Sequence, residues 1–269
     1  MDIESVVDII RDVVQDIKME NNINGIIKDG IFEVLEKKCT VIYYPINDRK
    51  NRGFHIKKLV KNELQDFVYI NTAKTVEQQI FTAAHEMGHV FKVGQRFLEK
   101  LSGSGVEVTE FSNDDEEKVV DRFAAELLMP FDMFEKSVQE YIDANGFEEV
   151  LSVIDLLKMI AKLMGEYMSP FNAVRKRLVE LGFFDKAADD YLRKNKIMLE
   201  AIVDQMKKDD NSILSSGTNV KMISGLRDIV VTAEGMPDVN QGLVLKLKRD
   251  FELDDIELKD TIVFKLPKE

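Results

Sequence analysis

The sequence predicts an α+β protein in which a small mixed sheet packs on the helix that starts at Thr75, a helix-turn-helix-like segment follows, and a small, partly β module closes the chain. Three observations predict it. Short β-branched and aromatic runs crowd the stretch before Thr75, helical periodicity dominates from Thr75 to Asp210, and β-rich runs return after the polar stretch Asn211 to Asn219. The 269 residues are enough for several cores, and the expected division is 1–134, 135–185 and 186–269.

Ile3, Val6, Val7, Ile10, Val13, Val14 and Ile17 form the one-sided stripe of a docking helix. Ile31 to Lys38 reads as a short helix leading into the strand Cys39 to Tyr44, which Pro45 closes. Gly53 to Ile56 reads as an edge-like strand and Asp66 to Asn71 as a third strand feeding the next helix. That helix starts at Thr75, where Thr75 and Gln78 suggest a capping box. It carries Val76, Ile80, Ala83, Ala84, Met87 and Phe91 at helical spacing, with Gly94 as a stop.

At its centre stands His85-Glu86-Met87-Gly88-His89, of the form H-E-x-x-H. The i, i+4 spacing puts both imidazoles on one helix face, where they can share a metal ion, and Glu86 beside them can reach water on that ion. The chain has only three histidines, and two fall in this motif. The third, His55, sits on the expected edge strand, where it would contact substrate, stabilise an oxyanion or simply be structural.

Two histidines leave a catalytic metal short of its usual three protein ligands. Gln95 to Asn113 reads as irregular, and the helix from Asp114 to Met129, stopped by Pro130, then supplies carboxylates. Glu117 ranks above its rival Glu116, because Asp121 at i+4 can hold a histidine by its second ring nitrogen. The competing explanation for Glu117 is a carboxylate at a helix N-terminus, paired with Asp114 in a cap.

The H-E-x-x-H helix followed by Glu117-Lys118-Val119-Val120-Asp121-Arg122-Phe123-Ala124-Ala125-Glu126-Leu127-Leu128-Met129-Pro130 resembles the ImmA/IrrE family of metallopeptidases of bacteria and their mobile elements. There the second helix reads roughly E-x-x-A-N/D-x-F-A-A-x-L-L-M-P. Val120 departs from the usual alanine. The resemblance covers 31–130 strongly and does not reach the last eighty or so residues. It implies a gluzincin-like zinc endopeptidase that cleaves a protein substrate, a helix-turn-helix transcriptional repressor of a mobile element or stress response. It also implies His85, His89 and Glu117 as metal ligands, Glu86 as general base and Asp121 as the support of a histidine. The His/His/Glu set suits Zn2+ and tolerates Mn2+. Tyr43, Tyr44 and His55 are unranked candidates for the oxyanion donor.

Beyond Pro130, Phe131 to Ala144 and Phe147 to Met168 read as helices, and Ser169-Pro170 starts another that ends at Gly182. With Arg175-Lys176-Arg177 on the second helix, 150–182 has the outline of a helix-turn-helix, or of a helical hairpin packed on the peptidase. Lys186 to Asp210 reads as one amphipathic helix and Asn211 to Asn219 as a linker. Asp228 to Thr232, Leu243 to Lys248 and Thr261 to Leu266 read as strands of a module of unknown role.

A net charge of −12 argues against broad attraction to nucleic acid or anionic membranes. One cysteine, Cys39, excludes an internal disulfide, and no apolar run spans a bilayer, so a cytoplasmic protein is expected. The alternative to the enzyme is a DNA-associated regulator or antitoxin-like binding partner whose metal site is structural or vestigial. Glu86 speaks against it, since a structural site has no use for a base.

Overall fold

A computed structural model of the protein describes residues 3–48, 50–104, 110–148, 150–209 and 216–253. The elements in chain order are α1 (Val7–Glu20), α2 (Ile31–Glu36), β1 (Thr40–Tyr44), β2 (Gly53–Val60), β3 (Glu63–Asn71), α3 (Val76–Val90), α4 (Val93–Gly103) and α5 (Asn113–Leu128). They continue with α6 (Phe131–Asn145), α7 (Val153–Tyr167), α8 (Phe171–Glu180), α9 (Lys186–Lys194), α10 (Lys196–Asp209), β4 (Met222–Ile223), α11 (Leu226–Ala233) and α12 (Gln241–Asp250). This is the expected α+β class.

The four strands form one mixed sheet in the order β2-β3-β1-β4, with β1 parallel to β3 and the other pairs antiparallel. A hairpin joins β2 to β3 through Lys61 and Asn62, both at positive φ, the backbone state that a tight two-residue turn requires. Strand alternation sends Val41, Tyr43, Val68 and Ile70 into the core. Phe54 and Ile56, on the opposite face, stay about half exposed.

The core runs without a break from Ile10 on α1 to Val203 on α10. α1 buries Ile10, Val13, Val14 and Ile17, the stripe read from the sequence, against α5 and α4. Among the described residues no helix is long and apolar enough to cross a membrane.

Several expectations give way. The segment after Phe91 is helical: Lys92 adopts a left-handed backbone with φ of 55°, ending α3, and α4 then buries Val93, Phe97 and Leu101 at i, i+4 and i+8. The apolar stripe outweighs Gly94, which lies inside the new helix. The helix expected over Lys186 to Asp210 divides at Asn195 into α9 and α10.

The expected strands at Asp228 to Thr232 and Leu243 to Lys248 are instead α11 and α12. Their strand-like composition yields to packing, because Leu226 and Val230, one helical turn apart on α11, close a small core with Val244 of α12, and Asn240 caps α12 by accepting from the Leu243 amide. The β contribution of this module to the described residues is β4, added to the free side of β1. The third expected strand, Thr261 to Leu266, lies outside the described residues.

The end of the expected linker is docked rather than free. Thr75 and Gly217 form a β-bridge, the Asn219 amide donates to the Thr72 carbonyl at 2.9 Å, and the Val41 amide donates to Ser224 Oγ at 2.8 Å. The terminal module is therefore tied to the loop that starts α3.

Candidate metal centre

Local sequence fixes where the two helices of the site begin. The Thr75 side chain accepts from the Gln78 amide, and the Gln79 side chain donates to the Lys74 carbonyl at 2.7 Å, so the turn before α3 is bound on both sides. α5 starts with a capping box in which Ser112 Oγ accepts from the Asp115 amide and the Ser112 amide donates to the Asp115 carboxylate, each at 3.2 Å. The cap carboxylate is thus Asp115, and Glu117 is released from that duty.

α3 and α5 can approach closely because position 88 is glycine. A Cβ there would stand 2.7 Å from Val120 Cγ1, well inside contact distance. Val120, the departure from the family pattern, fills the space that Gly88 leaves. Glu116 turns the other way, toward α4, where its Cγ would meet a Cβ on Gly94 at 2.9 Å. That separates the two rival carboxylates.

His85, His89 and Glu117 come together. His85 Nε2 lies 3.2 Å from Glu117 Oε2 and His89 Nε2 lies 3.4 Å from Glu117 Oε1. Metal–ligand bonds of roughly 2.0–2.2 Å in tetrahedral array put neighbouring donors about 3.3–3.6 Å apart, so each imidazole nitrogen stands near that spacing from the Glu117 carboxylate, and one ligand atom from each of the three residues lies within 4.8 Å of the others. Glu117 is 56% exposed, which leaves one side of the trio open to solvent. Asp121 Oδ1 lies 2.9 Å from His85 Nδ1, so in the neutral ring that contact holds the Nδ1 proton and Nε2 presents its lone pair toward the other donors.

The electrostatics follow from this packing. Burial pushes the Asp121 carboxyl up, but the His85 hydrogen bond and the charges of His85, Lys176 and Arg52 outweigh it and hold Asp121 below its usual value. Burial pushes His85 down, yet the Asp121 hydrogen bond and the charges of Glu86, Asp121 and Glu117 leave it raised. His89 is lowered, chiefly by burial and then by the neighbouring charge of His85. Glu86 is almost fully buried, and burial, opposed by His85 and reinforced by Glu117, pushes its carboxyl up to about 7.

His55 lies beside this group, its ring parallel to that of His89 with centroids 6.1 Å apart. Its Nε2 is engaged with Asp66 Oδ1 at 2.6 Å. The Tyr43 hydroxyl donates to Glu36, away from the site, and strand alternation turns Tyr44 to the outer face. In the basic triplet of α8, Arg175 is buried against Asp189, and Arg177 is 1% exposed and bonded to Glu126 Oε1, Glu180 Oε2 and the Met129 carbonyl. Lys176 alone remains exposed, which leaves little for phosphate contact.

Two features escaped sequence reading. One is the knot in which Arg11, Arg122 and Arg177 converge on Glu126 Oε1 at 3.5, 3.1 and 2.9 Å, tying α1, α5 and α8 together. The other is the position of Arg52 near Asp121. Partners so distant in sequence leave no periodic signal.

No curated protein matches the chain. A family model does: residues 35–178, just over half of the chain, match the peptidase family described as the IrrE N-terminal-like domain. That span contains β1 to β3, α3, α5 and every residue of the candidate centre. With the paired helices, the His/His/Glu trio and the matched span in agreement, the chain belongs to the IrrE N-terminal-like peptidase family.

Proposed function

We propose that this protein is a zinc-dependent endopeptidase acting on a protein substrate, specifically a helix-turn-helix transcriptional repressor. The observation that carries the chemistry is the convergence of His85 Nε2, His89 Nε2 and Glu117 at zinc-site spacing with Glu86 buried beside them. The repressor as substrate rests on the family resemblance.

His85, His89 and Glu117 are the residues that would hold zinc, with Mn2+ as a tolerated substitute. Zinc, when bound, supplies a Lewis acid that acidifies water and polarises a peptide carbonyl. Asp121 keeps His85 in the tautomer that presents Nε2. Glu86 would take the proton from the attacking water and deliver it to the departing amine nitrogen, a task suited to a buried carboxylate beside the two histidines. β2 pairs only with β3 among the described residues, so its outer edge can accept an extended peptide, and His55 places that edge against His89.

The test compares wild type with Glu86→Gln in host cells, reading new protein N-termini by mass spectrometry and metal content on the purified chains. Both should carry about one zinc per chain. Only wild type should generate new termini within repressor proteins, and cleavage by Glu86→Gln should fall by about 10²–10⁴. Equal cleavage by both chains would remove Glu86 from the mechanism, and new termini confined to other classes of protein would remove the repressor.

A further inference from the structure

Next to Asp121 a cleft of about 330 Å³ opens between α3, α5, α8 and the start of β2. That volume is at the lower end of the roughly 300–1,000 Å³ typical of ligand sites, right for one or two residues of a peptide. Phe81 and Ala173 give it apolar walls, and Arg52, Lys118, Lys176 and Arg177 line it as well.

The charges in the cleft are not equivalent. Arg177 is neutralised by Glu126 and Glu180, and Lys118 has Asp115 at 3.7 Å. Arg52 and Lys176 form no ion pair with any described residue; both line the cleft beside Asp121, and Arg52 also lies within the electrostatic reach of Glu200. Arg177 adds a donor: it is 1% exposed and its Nε has no hydrogen-bond partner among the described residues. A chain with a net charge of −12 thus places two cations without an ion pair, and a buried unsatisfied N–H, around one cavity whose lining also includes the carboxylates of Asp121 and Glu180.

Position gives the cavity its meaning. Asp121 lines it and also holds His85, and the Arg52 carbonyl is fixed by the Asn71 amide at 2.9 Å, just ahead of the open edge of β2. A peptide lying along that edge and crossing the metal centre has the cleft within side-chain reach.

We propose that this cleft is a specificity pocket for an acidic side chain of the substrate, with Arg52 and Lys176 as the residues that select it. The apolar walls take the methylenes of an aspartate or glutamate, and the two cations meet its carboxylate. The proposal rests on the peptidase reading and gives that site a substrate class: polypeptides with a carboxylate at a defined distance from the cleaved bond.

The test uses the full, zinc-loaded Glu86→Gln chain, which separates binding from cleavage, and a set of fluorescent peptides of about ten residues. The peptides differ only in whether a Glu or a Gln occupies each successive position. At low salt, Glu should bind about tenfold more tightly than Gln at one or two positions, the effect of one charge-assisted contact. The preference should collapse in Arg52→Glu and in Lys176→Glu, and a Lys-bearing peptide should then bind better. Arg52→Gln and Lys176→Gln, milder changes checked by circular dichroism, should weaken it in the same direction. No position favouring Glu, or a preference untouched by all four variants, would overturn the pocket. The same peptides given to wild type separate the two claims: cleavage without a Glu preference sinks the pocket alone, while a Glu preference without cleavage sinks the peptidase alone.

Discussion

Glu117 and Glu126 lie on the same helix and differ in what their partners leave them free to do. Glu126 is 3% exposed, and one of its oxygens is shared by Arg11, Arg122 and Arg177. Glu117 is 56% exposed and faces two imidazoles, whose charge, unlike that of a guanidinium, can be given up. A carboxylate saturated by guanidinium groups is structural, whereas one that faces groups able to lose their charge can turn its lone pairs to a metal cation. The first half of α5 therefore presents the candidate metal ligand, and the second half fixes where α5 stands.

The sharpest way to break this comparison is to truncate both residues. Glu126→Ala leaves three arginines around a vacancy, two of them buried, and should cost about 3–5 kcal/mol of stability by urea unfolding. Glu117→Ala should abolish stoichiometric zinc and peptidase activity while changing the metal-free unfolding free energy by no more than about 0.5 kcal/mol. Equal destabilisation by the two changes would mean that Glu117 also holds the fold and that the division of α5 is wrong.

A smaller effect is expected at Asp121, whose contact is with the far nitrogen of His85. Asp121→Asn keeps the shape but loses the charge that holds the His85 Nδ1 proton, so zinc affinity measured against a competing chelator should fall about 10–100-fold. An unchanged affinity would show that α3 packing alone orients His85.

Much of the centre was legible beforehand because its parts are local. The spacing from His85 to His89 and from Glu117 to Asp121 is helical arithmetic, and both helices carry start signals in the chain. What remained hidden is tertiary. Glu116 and Glu117 are neighbours in sequence, and the close approach of α4 at Gly94 helps to turn Glu116 aside. Arg175-Lys176-Arg177 leaves a helix-turn-helix and a packed helical hairpin both open, and only the tertiary partners Glu126 and Glu180 show that Arg177 is spent on the fold. Ile229-Val230-Val231-Thr232 has strand composition, and only the partners of Leu226, Val230 and Val244 show why it coils. Local propensity fails where a small core decides.

The finest test concerns how α5 begins. Ser112→Ala removes the side chain that accepts the Asp115 amide, and the loss of such a cap costs about 1 kcal/mol. The whole cost should not appear as global unfolding. Fraying reaches the first turn and then Glu117, while the arginine knot at Glu126 holds the far end, so amide hydrogen exchange should accelerate at the start of α5 and stay unchanged at Leu127 and Leu128. Zinc affinity should weaken less than in Asp121→Asn, since Glu117 is displaced only in the frayed fraction. Uniform acceleration along α5 would instead make the helix one cooperative unit, and its two halves would no longer be separable in energy even though they differ in chemistry.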